Sequence, residues 1–249
     1  MEITFIRHAQ SENNAQVPHG GSLRASSHPL RQPDPAITAL GREQIVRLAA
    51  FLPTWWDLRL DREQRRLSAA PLGLQRLHCS LMRRALQSAA VLAEALALPT
   101  TARADLHEIG GIYDGREGAA LRQSGMTRSE VAAEFPLVGW PAELGQGGWW
   151  CREAETFAEA AERAARFAGW LREQAQVEPA ARLGIITHGG WLDLLLRELL
   201  GQPIREQQGG IRFSHYNTGM TRVDILRGGR VVLRFQNRVP HLTAELLSY

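Results

Sequence analysis

Ile3-Thr4-Phe5-Ile6-Arg7-His8-Ala9-Gln10-Ser11-Glu12-Asn13-Asn14 begins as a run of apolar or β-branched residues and then turns polar within one step. So short an apolar run, ended by charged and hydroxyl residues, reads as a buried strand whose carboxyl end carries Arg7 and His8. Two later stretches repeat the design. Arg76 to Ser80 reads as a strand leading into a helix whose Ala85, Ala89, Leu92 and Leu96 recur at helical spacing, with Pro99 helping to end it. Leu183 to Thr187 reads as a strand leading into a helix carrying Leu192, Leu195, Leu196 and Leu199. Strands alternating with helices in this way predict an α/β fold. The expected architecture is a three-layer α/β/α sandwich, a mostly parallel central sheet with helices on both faces.

The remaining segments fit that plan. Thr38 is placed to cap a helix whose Ile45, Leu48, Ala49 and Leu52 share one face, and a later helix presents Phe157, Ala164, Phe167, Ala168 and Leu171. Thr221 to Leu226 and Val231 to Phe235 flank Gly228-Gly229, which predicts a terminal antiparallel hairpin. The stretch from about 110 to 150 differs, with clustered glycines, two prolines and Trp140, Trp149 and Trp150. It reads as a lid-like insertion within one domain spanning 1–249, with its tryptophans serving more naturally as core than as a substrate platform.

Composition narrows the classes. A chain of 249 residues with 44% hydrophobic and 22% charged residues is long enough for one large core and too ordinary for disorder or a fibre. No apolar run is long enough to span a bilayer, so we expect a cytoplasmic protein without a membrane partner. All 29 fixed basic side chains are Arg; they are spread among acidic neighbours rather than gathered in a stripe, which argues against nucleic acid. Cys79 and Cys151 are too few for a disulfide framework, and no His or Cys spacing suggests a metal. The glycines from Gly110 to Gly118 lack the Gly-Lys-Ser or Gly-Lys-Thr ending of a phosphate loop, so a nucleotide triphosphatase is unsupported.

Ligands of α/β sheets collect at the carboxyl ends of the strands, and here those ends hold Arg7-His8, Ser80 to Ala89, and Thr187-His188-Gly189-Gly190. Two imidazoles and two guanidinium groups are therefore expected on one edge. A neutral imidazole at His8 can attack phosphorus, while Arg7, Arg84 and a protonated His188 match the charge of the transferring group. The leaving oxygen needs a proton, and Glu108 in Leu106-His107-Glu108-Ile109-Gly110-Gly111 is the candidate donor.

In this order the motifs resemble those of the histidine phosphatase superfamily, the phosphoglycerate mutase-like family, and within it branch 1. Arg7-His8-Ala9 resembles the Arg-His-Gly motif, and Asn14 stands where a phosphate-contacting Asn follows it. Asp34 to Gln44 resembles the Asp-x-x-Leu-Thr-x-x-Gly-x-x-Gln segment. Ser80 to Ala89 resembles Ser-x-x-x-Arg-Ala-x-x-Thr-Ala, which puts the second arginine at Arg84 rather than Arg83. Leu106 to Gly115 resembles the Leu-x-Glu segment, and Thr187 to Gly190 the second histidine motif. The resemblance implies a phosphohistidine on His8, proton donation by Glu108, support from His188, and phosphate contacts from Arg7, Asn14, Arg84 and Gly189. It also implies a small phosphorylated metabolite as substrate, with no metal and no cofactor. Two positions depart from the pattern: Ala9 replaces Gly, and Ser88 replaces Thr.

Three other readings stay open at this level. A phosphoglycerate mutase is disfavoured, since His19-Gly20-Gly21-Ser22-Leu23-Arg24 does not match the Arg-Phe-Thr-Gly-Trp segment of mutases and the later Glu-Arg-Arg is missing. A phosphohistidine protein phosphatase and a non-catalytic phosphate-binding module are the others. The sequence identifies neither the substrate nor the oligomeric state.

Overall fold

The computed structural model of the protein describes residues 1–16, 31–61, 66–113, 124–204 and 211–249. Three adjacent strands at the centre of the sheet, β4 (Arg76–Ser80), β7 (Arg182–Thr187) and β1 (Glu2–Arg7), are the three that the sequence marks as leading into polar junctions. They run parallel, with Arg7 level with Thr187 and Cys79 level with Ile186. His8, His188 and the residues after Ser80 therefore emerge side by side.

The sheet has the order β6-β5-β4-β7-β1-β8-β9. On one flank β5 (Thr100–Arg103) and β6 (Val138–Gly139) continue the parallel pairing. On the other, β8 (Met220–Ile225) and β9 (Val231–Arg238) form the anticipated antiparallel hairpin. Side chains alternate across β1 and β7, and each face acquires its own core. Ile6 and Ile186 pack with residues of α2 (Ala39–Phe51) and α3 (Arg83–Leu96), among them Ile45, Leu48, Ala85 and Leu86. Ile3, Phe5, Leu183 and Ile185 pack with α5 (Phe157–Val177) and α6 (Gly189–Leu199), through Phe167, Leu171, Trp191 and Leu195. This is the three-layer sandwich expected.

Local chemistry sets the helix ends. Thr38 accepts the Gly41 N–H at the start of α2, and Thr156 with Glu159 closes a capping box on α5. The short α1 (Glu12–Ala15) is capped reciprocally by Ser11 and Asn14. Among the described residues, no helix is long and apolar enough to cross a membrane.

The sequence reading omitted four strands. β5 and β6 have only four and two residues, too few to display a period. A separate two-stranded sheet joins β2 (Trp56–Asp61) to β3 (Arg66–Pro71), two segments that lack the buried apolar run used to find the central strands. The remaining helix, α4 (Arg128–Glu134), lies in the stretch read as a lid. Trp149 and Trp150 of that stretch are buried against His107, with Trp140 packed beside the same core. Residues 114–123, and the His19 to Arg24 segment compared with the mutases, lie outside the described residues.

Candidate active site

His8 follows the last residue of β1 and is almost wholly buried. Its Nδ1 lies 2.7 Å from the Ala9 carbonyl oxygen, and its Nε2 lies 3.1 Å from Arg84 Nε. A carbonyl can only accept, so Nδ1 carries the proton and Nε2 presents its lone pair to Arg84. Burial, and then the positive charges of Arg84 and Arg7, push His8 well below its ordinary value. The ring is neutral with the lone pair of its unprotonated nitrogen directed at a guanidinium.

The two departures from the family pattern face each other here. Ala9 N–H donates to Ser88 Oγ at 3.0 Å, and Ser88 Oγ–H donates to the Arg84 carbonyl at 2.7 Å. Ala9 keeps an ordinary negative φ, so its methyl adds no backbone strain. The strain lies instead at Thr218, where φ is +56°. Its N–H reaches the Arg7 carbonyl, and the preceding Asn217 donates Nδ2–H to the His8 carbonyl at 3.0 Å. Left-handed geometry at a β-branched residue costs about 1–2 kcal/mol, which this double tether offsets.

His188 follows the last residue of β7 and stands with its ring centroid 5.0 Å from that of His8. Ser80 Oγ accepts the Met82 N–H and lies 2.8 Å from His188 Nε2, a contact in which either atom can be the donor. His188 Nδ1 is buried and has no partner, and it carries the imidazole proton in the tautomer that takes the serine hydrogen on Nε2. The sequence reading made His188 protonated. Burial, with Arg84 and His8 beside it, instead pushes its value well down, and the ring is a neutral donor.

Arg7 donates Nη1–H to the His215 carbonyl at 2.6 Å, while its Nε is enclosed without a partner. Burial lowers its value to about 10, so it stays charged at neutral pH. Gly189, the first residue of α6, packs against this guanidinium, and a Cβ there would lie 3.2 Å from Arg7 Nε. Arg84 is buried, and Asp34 Oδ1 reaches its Nη1 only at 3.8 Å. Burial raises Asp34 to about 6. Arg83, set aside in the sequence reading, pairs at the surface with Glu134.

Glu108 is not a loose loop carboxylate. Its Oε1 accepts the N–H groups of Ile109 and Trp191, and its Oε2 accepts that of Gly190, so it caps the start of α6. A Cβ at position 190 would lie 2.8 Å from Oε1, so only glycine allows this approach. Asn14 uses its amide oxygen to accept from Ser11 and from Asn217 Nδ2, which leaves its own NH₂ as the group able to meet an anion.

All seven residues named from the sequence thus belong to one cluster or its lining. Sequence reasoning reads Asn217-Thr218-Gly219 as a turn beside the pocket but misses the rest of the supporting layer: His215, Ser80, Ser88 and Asp34. Only Asn217 had a local signal, the Asn-Thr-Gly turn; the others act through contacts with residues far along the chain. Among the described residues no group of three or more His, Cys, Asp or Glu is placed to hold a metal ion.

Neutral histidines, unpartnered donors and charged arginines on the carboxyl edge of a parallel sheet define a site for an oxyanion ligand. The chain matches the family model of the histidine phosphatase superfamily (branch 1) over residues 3–238, and it belongs to that superfamily. Its fold is similar to YhfR from Bacillus stearothermophilus, with 18% identity, 96% of this chain and 98% of that one covered, and a TM-score of 0.58. It is also similar to mycobacterial glucosyl-3-phosphoglycerate phosphatase, with 20% identity, 95% and 98% covered, and a TM-score of 0.55. A third is phosphoserine phosphatase from Entamoeba histolytica, with 17% identity, 97% and 99% covered, and a TM-score of 0.54. No curated protein matches the chain.

Proposed function

We propose that the chain is a phosphatase that hydrolyses phosphomonoesters of small metabolites in the cytoplasm, through a phosphohistidine on His8 and without a metal. The observation that carries this reading is the pairing of His8: Nδ1–H held by the Ala9 carbonyl, and the Nε2 lone pair against Arg84.

In the first step the Nε2 lone pair of His8 bonds to phosphorus, the ester P–O bond breaks, and the Glu108 carboxyl gives its proton to the leaving oxygen. Oε2 of Glu108 accepts only one N–H and so keeps a lone pair for that proton. In the second step water attacks the phosphoryl group and its proton returns to Glu108. The P–N bond breaks, releasing inorganic phosphate and regenerating neutral His8. Arg7, Arg84, the Nδ1–H of His188 and the NH₂ of Asn14 supply donors for the equatorial oxygens through both steps. Such preorganised charge is worth about 3–4 kcal/mol per donor in comparable oxyanion sites.

His8→Ala tests this directly against a chromogenic phosphate ester. The expected result is loss of turnover by a factor of at least about 10³, with a thermal midpoint close to wild type. Hydrolysis at the wild-type rate would reject the mechanism.

A further inference from the structure

Arg31 stands apart from the phosphate-binding arginines yet close to them. Its guanidinium carbon lies 4.2 Å from the centroid of the Tyr113 ring, a cation–π contact. Its Nε is shut off from solvent with no hydrogen-bond partner, and no carboxylate of the described residues pairs with it. Arg31 is half-exposed, so the rest of its guanidinium is open to an anion that approaches from solvent.

Two anchors fix this arginine relative to the catalytic centre. Asn13, just past the His8 motif, holds the next residue by both backbone groups: Nδ2–H donates to the Gln32 carbonyl at 2.8 Å, and Oδ1 accepts the Gln32 N–H at 3.0 Å. Asp34 accepts the Arg83 N–H at 3.0 Å and faces Arg84 at 3.8 Å. Three residues span at most about 10 Å, so Arg31 is tied close to Arg84. Burial first, and the like charge of Arg31 after it, lower Arg84 against the pull of Asp34 and Glu108. Tyr113 is fixed from the other side of the pocket. Gly110, two residues after Glu108, has φ +88°, and a Cβ there would strike the Tyr113 ring. The pair therefore joins the segment that carries Asp34, beside Arg84, to the segment that carries Glu108.

We propose that Arg31, held on the Tyr113 ring, binds a second anionic group of the substrate, a carboxylate or a second phosphate lying a few bonds from the scissile ester. This rests on the phosphatase reading and names its substrate class, a small phosphorylated metabolite with two anionic ends. Arg7, Arg84 and His188 already surround the first anion, and Arg31 has no competing partner among the described residues. Its planar donors suit either oxyanion.

The test uses two matched pairs of esters. Phosphoglycerate and glycerol phosphate differ by a carboxylate; propanediol bisphosphate and propanediol phosphate differ by a second phosphate. Wild type should favour the doubly anionic member of at least one pair by about tenfold or more in kcat/KM, as expected of a charge-assisted contact. The pair that responds identifies the group. Arg31→Gln should bring that ratio close to unity, mainly through KM, and Arg31→Lys should restore part of it. Tyr113→Leu should reduce it without abolishing it. Equal rates within both wild-type pairs would overturn the subsite while leaving the phosphatase reading intact, as would an equal loss on both members in Arg31→Gln. No turnover of any ester by wild type would sink the phosphatase reading itself.

Discussion

Buried arginines occur at both ends of β1, and they are treated in opposite ways. At the amino end, Arg222 on β8 is almost wholly buried and meets three carboxylates: Glu2 at 3.1 Å, Asp57 at 2.8 Å and Asp224 at 3.0 Å. Arg234 adds a second cation on Asp224 at 2.6 Å. At the carboxyl end, roughly 10 Å along the strand from Thr4, which is level with Arg222, Arg7 leans on a backbone carbonyl and Arg84 has Asp34 only at 3.8 Å. The first cluster neutralises itself and ties the β2 strand to the central sheet. The second is left short of negative charge, which an incoming dianion would supply. A buried cation with internal partners is structural; one without them marks a site.

Acid should separate the two ends most strongly. His8, His78, His107, His188, His215 and His241 are all held below the ordinary histidine value by burial, His107 and His215 to about 3 and His78 and His241 to about 4. Five of them sit in the pocket or bond to its elements: His8, His188, His107 through the Glu108 carbonyl, His215 through Arg7, and His241 through Thr218. The unfolded chain takes up these protons near pH 6.5 and the folded chain does not. Stability is therefore full above about pH 6.5 and falls as the pH drops, by about 1.4 kcal/mol per pH unit for each such histidine. Asp34, raised to about 6, works in the other direction, but it is one group against six. Urea midpoints at pH 7 and pH 5 should differ sharply, and a flat profile would contradict the neutral-histidine arrangement.

Next in size is a pair of substitutions that exchanges the two outcomes. Arg222→Met should cost about 3–5 kcal/mol of stability, because Glu2, Asp57 and Asp224 all lose this buried cation and Asp224 keeps Arg234, while kcat of the folded enzyme holds. Arg84→Met should lower kcat by about 10²–10³ while leaving the thermal midpoint no lower than wild type. Denaturant titration and steady-state kinetics on both variants would break the comparison if each lost stability and activity alike. Between these effects and the smallest lies a ligand shift. Orthovanadate at about 100 times its Kd should stabilise wild type by about 2.7 kcal/mol, read as a raised thermal midpoint, and should leave Arg84→Met nearly unmoved. Ser88→Ala is the mildest change. It removes the acceptor of the Ala9 N–H and should cost about 1 kcal/mol, with a modest fall in kcat as the His8 loop loosens.

What was legible in the sequence follows from the range over which each signal acts. The three central strands could be read because each is a continuous apolar run that ends in polar residues, as burial on both faces requires. The site was legible for the same reason: Arg7, His8, Arg84 and His188 sit at or just past those strand ends. The edge strands β5 and β6 pair over too few residues to leave a period. The charge state of His188 could not be read either, since it depends on burial and then on the proximity of Arg84 and His8, which only the β4-β7-β1 neighbourhood creates. Glu108 was found by its place after Leu106, but its capping of α6 depends on residues more than eighty positions away.

The most direct test of the account is to trap the enzyme during turnover of a phosphate ester, quench it in alkali, where a phosphohistidine survives, and map the modified peptide by mass spectrometry. The account predicts one phosphoryl group on the peptide containing His8, formed and lost at rates compatible with turnover and missing from His8→Ala. Continued hydrolysis with that peptide unmodified, or with the group on a different side chain, would contradict it.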